Sequence, residues 1–193
     1  MKKIFGAFIA LLLTVTVMCS ASACGCTLSK TQQNETLYED VINSLKSGQA
    51  YAFASIAGDE YDALIVADEV YDNGDGTRIA TSATLYGVDA DGNLMQYGKV
   101  FSEGPTYPLS VYEDTYLLSG SKERVSKVFI DIQNGAMCTK EDASAHIGDD
   151  GKVHYFYFSL DEEFEGEVQD DSHLVQLFKE YGTATPINFT VIR

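Results

Sequence analysis

The sequence predicts an α+β fold that is mainly antiparallel β: a meander of about eight or nine strands with an N-terminal and a C-terminal helix. Three observations carry this. Apolar residues recur with period 2 through most of residues 50–160. Clusters of Asp, Asn and Gly interrupt that alternation at short intervals, as hairpin turns do. Helical spacing is confined to one stretch before the strands and one after them. A sheet of this size tends to curl into a barrel or split into a sandwich, and the pattern does not choose between the two.

The first helix is expected over residues 34–47, where Leu37, Val41 and Leu45 fall at i, i+4 and i+8 and Tyr38 and Ile42 widen the stripe. Thr31 or Asn34 is its expected cap and Gly48 its stop. Strands follow at 51–56 and 61–70, the second ending in Asp72-Asn73-Gly74-Asp75-Gly76. Residues 78–89 and 94–101 form a hairpin about Ala90-Asp91-Gly92-Asn93. Gly104-Pro105 breaks the series, and strands resume at 107–112, 116–119, 125–132 and 136–139. Residues 140–145 read as a helical turn, and 153–160 are the most strand-like of all. An acidic loop is expected over 161–171. Asp171 or Ser172 then caps a helix over 173–181 whose apolar face is Leu174, Leu177, Phe178 and Tyr181. Pro186 opens a last strand over 187–192. No repeat of 20–50 residues supports a solenoid.

Lys2 and Lys3 precede 15 almost wholly apolar residues, 4–18, and then the small series Ser20-Ala21-Ser22-Ala23 before Cys24. A membrane span needs ~20 residues, so residues 1–23 read as a secretory signal that is removed. Ala21-Ser22-Ala23-Cys24-Gly25 resembles a bacterial lipobox, in which a peptidase cuts before the cysteine and the thiol carries diacylglycerol. That resemblance implies Cys24 as the lipid anchor, although such boxes prefer Leu where Ala21 stands. Cys26 is a second candidate for acylation, and ordinary secretion with cleavage near Ala23 is the alternative. Residues 24–33 then form a tether and 34–193 one β-rich domain on the extracytoplasmic face of the cell membrane.

Loss of residues 1–23 removes two lysines and no acid, leaving 11 basic against 29 acidic residues and a charge of −18. Such a polyanion repels phosphate backbones, which excludes nucleic-acid binding driven by counterion release. The strand-and-turn runs Tyr51-Ala52-Phe53, Asp62-Ala63-Leu64-Ile65-Val66, Asp72-Asn73-Gly74-Asp75-Gly76, Gly104-Pro105-Thr106-Tyr107-Pro108-Leu109 and Val125-Ser126-Lys127-Val128 resemble uncharacterised lipoproteins of Gram-positive, Clostridia-type bacteria. Apart from the lipobox, the resemblance implies no functional residue.

Candidate chemistry is sparse. The two Asp-rich turns fail the EF-hand spacing, since position 3 from Asp72 is Gly74 and position 6 from Asp89 is Leu94. A solvated loop and a cation site are both open readings of Asp161, Glu162, Glu163, Glu165, Glu167, Asp170 and Asp171; bound Ca²⁺ would relieve their mutual repulsion. His146, His154 and His173 lack zinc-type spacing, and there is no G-x-S-x-G elbow around any serine. Cys138 either packs as a small apolar side chain or pairs with Cys26. Tyr155 and Tyr157 share one face of their strand; left open, that face would stack on a glycan, a peptide or an envelope protein. The expected function is a non-catalytic ligand- or partner-binding lipoprotein without a cofactor. An accessory protein of an envelope complex and a cell-envelope hydrolase are the alternatives.

Overall fold

Two antiparallel sheets face each other, and helices cover the outer side of each, in the computed structural model, which describes residues 29–58 and 61–193. Residues 1–23, expected to form a signal segment, and Cys24 and Cys26 lie outside the described residues. The chain opens with α1 (Lys30–Leu37) and α2 (Glu39–Ser44), then β1 (Ala50–Ala54), β2 (Ala63–Ala67), β3 (Tyr71–Asp72), β4 (Arg78–Ile79), β5 (Ser82–Val88) and β6 (Leu94–Phe101). It continues through β7 (Ser110–Tyr112), β8 (Tyr116–Gly120), β9 (Arg124–Asp131), β10 (Ala136–Ile147), β11 (Val153–Ser159) and β12 (Phe164–Val168). The last elements are α3 (Ser172–Thr183), β13 (Thr185–Pro186) and β14 (Thr190–Val191). One sheet has the order β14-β1-β2-β5-β6 and the other β12-β11-β10-β9-β8-β7-β13, while β3 and β4 form a small separate hairpin. Neither sheet closes on itself. The expected α+β class with a helix at each end holds, and the arrangement is a sandwich rather than a barrel.

The inner face of the first sheet is built from small residues. Ala50, Ala52, Ala54, Ala63, Ala67 and Ala83 meet Leu117, Val128 and Ile130 of the second sheet in one buried cluster. Alanine against larger aliphatic residues lets the two layers interdigitate without voids. β2 is buried along its whole length, because its other face, Leu64 and Val66, is covered by Leu37, Tyr38, Val41 and Ile42 of the helical segment. Burial on both sides explains its unbroken apolar run.

Several boundaries differ from expectation for identifiable reasons. The first helix starts earlier, inside the expected tether, because Ser29 and Gln32 form a reciprocal capping box. It breaks at Tyr38, which is fully buried and whose hydroxyl donates to the Asp62 carbonyl at 2.7 Å. Residues 140–145 are not a helical turn but part of β10, held on one side by β9 and on the other by β11. Tertiary pairing overrides local helix preference there. The acidic run is not a loop throughout, since Phe164–Val168 pair with β11. The strand count rises to fourteen among the described residues, four of these strands being two-residue pieces. Between β5 and β6 the register slips at Tyr97, whose ring lies over Gly87; a Cβ at Gly87 would sit 2.9 Å from that ring.

The expected strand over 187–192 is divided between both sheets. Thr185 and Pro186 pair with β7, the amide of Ile187 donates to the Leu109 carbonyl at 3.0 Å, and Thr190 and Val191 pair with β1. Ile187 and Phe189 are buried between the layers. Phe189→Ala is expected to cost about 3–4 kcal/mol of unfolding free energy, read as a lower urea midpoint with an unchanged slope; no change would show that this crossing does not join the sheets.

Candidate functional site

The crossing of residues 185–191 sets the geometry of a groove of about 560 Å³. In an antiparallel ladder a residue sends its N–H and C=O to the same side, and alternate residues send theirs to opposite sides. Ile192 donates to the Gln49 carbonyl at 2.8 Å, and Tyr51 stands opposite Thr190, so the backbone groups of odd-numbered residues in β1 face away from β2. The partner strand then leaves, and Phe189 donates to the Arg78 carbonyl at 2.8 Å. Phe53 is therefore the next residue whose backbone groups face that edge, with no strand beside it among the described residues. The groove runs along this edge, between Ala52–Ser55 on one wall and Thr185–Asn188 on the other.

Its charge is negative. Glu35, Asp62 and Asp114 line it, and among the described residues no lysine or arginine does. Asp62 is committed: it is 2.7 Å from Lys30, accepts from Ser55 at 2.6 Å and from Asn34 at 2.8 Å. Burial alone would raise its pKa, but those donors hold the carboxyl below its ordinary value. Glu35 and Asp114 are exposed and make no ion pair among the described residues. Tyr51 and Phe53 supply aromatic surface, packed edge to face with centroids 5.8 Å apart.

The tyrosine face proposed from sequence is not this site. α3 covers it: Tyr157 is 5% exposed, stacks on His173 at 3.8 Å between centroids and donates to Glu141 at 2.7 Å. Burial, with that bond to a carboxylate, pushes its hydroxyl up to about 12. Tyr155 is half-buried, and the exposed residues of the strand are Val153 and Phe156. Beneath α3, Lys127 sits 2.6 Å from Glu141 and 2.5 Å from Glu180, with its ammonium over the rings of Tyr112 and Tyr116 at 5.3 and 5.4 Å. Burial would lower its pKa; the two carboxylates outweigh that and raise it. No sequence spacing signals this clasp, because its members come from β9, β10 and α3.

The acidic run is dispersed. Asp161 pairs with Lys140, Glu167 with His154, Asp170 accepts from the Ser172 amide, and Asp171 occupies the N-cap of α3. Glu165 lies opposite Phe158 on β12, and Glu162 and Glu163 belong to the turn before it. No group of three or more His, Cys, Asp or Glu is placed to hold a metal among the described residues. The Asp-rich turns use their carboxylates locally: Asp72 accepts from Gly74 N–H at 2.8 Å, and Asp89 from Asn93 N–H at 2.8 Å. Cys138 is half-buried on β10. Ser144 Oγ lies 3.1 Å from His146 Nε2, with Ser144 itself buried.

The chain matches no protein-family model, and no curated protein or solved structure shows significant similarity to it. Among the described residues no helix is long and apolar enough to cross a membrane.

Three variants test the electrostatics. Lys127→Met leaves Glu141 and Glu180 without their cation and is expected to cost about 3 kcal/mol in chemical denaturation, most of it recovered by Lys127→Met combined with Glu141→Gln and Glu180→Gln. Equal losses in the single and triple variants would contradict the clasp. His154 lies between Glu167 at 2.6 Å and Asp150 at 3.1 Å, contacts that raise its pKa above the ordinary 6.5. Its charged form is favoured in the folded state, so its stabilisation is full below pH 6.5 and fades as pH rises through the raised folded value. The stability gap between the wild type and His154→Gln should therefore be widest in mild acid and vanish in alkali, as followed by thermal melts across pH.

Proposed function

We propose that this chain is an extracytoplasmic lipoprotein, held to the cell membrane through Cys24, whose domain binds a partner and performs no chemistry of its own. The observation that supports binding is the groove at the unfilled edge of β1, where an aromatic wall, hydroxyl groups and two uncommitted carboxylates meet backbone groups without a strand beside them. Concavity with a few convergent polar groups is the usual form of a recognition site.

The anchor reading rests on the residues before the fold. Lys2, Lys3, the apolar run and Ala23-Cys24 make an export signal with an acylation site. From Cys24 to the cap of α1 at Ser29 the chain advances five residues, a reach of at most ~18 Å. The lipid would hold the domain close to the bilayer, with Thr31 and Glu35 of α1 bordering the groove near the tethered end. The negative charge of the domain opposes adhesion to an anionic surface, so the covalent lipid supplies the attachment.

Mass spectrometry of protein purified from its native membrane should find an N-terminus at Cys24 carrying acyl chains, and Cys24→Ser should shift the protein to the soluble fraction. An intact Met1 with an unmodified Cys24 would contradict the anchor.

A further inference from the structure

We propose that the open edge of β1 takes an extended, positively charged peptide segment of a partner protein, added as a short strand in line with β14. This deepens the partner-binding reading above and rests on it. Phe53 follows Tyr51 by two, so its N–H and C=O point the same way as those that Tyr51 gives to Thr190, but the chain has already turned away toward Arg78. An added strand would meet one backbone donor and one acceptor at the spacing of a ladder that β14 has already begun.

The surroundings fit a strand. The groove is bounded on one side by residues 52–54 of β1, which lie beyond the end of the edge strand β14, and on the other by β13, the edge strand of the second sheet. Edges of this kind are templates for pairing unless charge, proline or a bulge protects them. Pro186 protects β13, since a proline has no N–H to offer. β1 has no such guard: its edge carries Ala52, Phe53 and Ala54. Recognition by addition therefore falls on β1, with the β13 segment as the far wall.

Charge selects the occupant. Glu35 stands at one side and Asp114 at the other, both exposed and without an ion-pair partner among the described residues, while Lys30 is held by Asp62 at 2.7 Å and Arg78 pairs with Asp72. The whole chain carries −16, so the field around the groove attracts a cationic segment and repels an anionic one. Alternate residues of an added strand point to opposite faces. On the outer face its side chains would lie against Tyr51 and Phe53 within reach of Glu35 on α1, and on the other face they would turn toward the second sheet, where Asp114 stands in the turn between β7 and β8, so a lysine or arginine meets a carboxylate on either face.

The test uses residues 24–193 with Cys24→Ser, ¹⁵N-labelled, titrated with an acetylated and amidated heptapeptide that alternates lysine and valine. Three companions are run: the same peptide with glutamate for lysine, the lysine peptide methylated on alternate backbone nitrogens, and the lysine peptide against Glu35→Gln combined with Asp114→Asn. Asn tolerates the positive φ of 48° at position 114, so this double variant keeps its backbone. The lysine peptide should shift the Phe53 amide saturably and lose affinity as salt rises. The double variant should bind at least about fivefold more weakly, and the glutamate and methylated peptides should not saturate. Equal binding of the glutamate peptide at Phe53 would overturn the cationic assignment while leaving the groove a binding face. Equal binding of the methylated peptide would overturn strand addition. No shift at Phe53 with any peptide would overturn the proposal as a whole, and none of these results bears on the anchor at Cys24.

Discussion

One strand cannot satisfy two sheets along its whole length, and residues 185–191 are shared between both. Thr185 and Pro186 bond to the second sheet, and Thr190 and Val191 to the first; between them Ile187 and Phe189 descend into the layer where the sheets meet. The crossing joins the two sheets on one side of the sandwich through hydrogen bonds and buried apolar area together. Its consequence is geometric. A segment that spends two residues on β1 cannot flank the remaining three, so the union of the sheets and the gap at Phe53 have the same cause.

Each outer face is then closed differently. The first sheet is covered by apolar contacts, with Tyr38 as a pin whose hydroxyl reaches the Asp62 carbonyl. The second is covered by α3, whose apolar stripe shares the interface with the Lys127 clasp. A buried ion pair adds little net stability compared with apolar packing, but it penalises any arrangement that leaves one partner alone. We take its effect to be fixing how α3 sits on β9 and β10. The same clasp covers Tyr157 and removes the tyrosine face from contact with solvent.

Much of the fold was legible because period and turn chemistry are local. The hairpin about Asp89–Asn93 and the stripe Leu174, Leu177, Phe178 and Tyr181 are both written in consecutive residues. What was not legible depends on distant partners. Residues 140–145 hold no strong strand signal, yet lie between β9 and β11 and must extend. The alternation Tyr155-Phe156-Tyr157-Phe158 assigns faces correctly but does not say which one a helix will cover. The groove is the extreme case, because its walls, around residues 53 and 187, are far apart in sequence and meet only through the crossing. The one local hint was Pro186, which marks a strand position that cannot donate.

An open edge at Phe53 requires that β14 flank only half of β1. Residue-resolved amide hydrogen exchange on the free protein measures this directly, since exchange follows the hydrogen bonding of each N–H. The amide of Tyr51, paired with β14, and those of Ala52 and Ala54, directed at β2, should be strongly protected, while that of Phe53 between them should exchange at least about a hundredfold faster. Protection of Phe53 equal to that of Tyr51 would mean that the edge is already filled, and the groove would not be a site for an added strand.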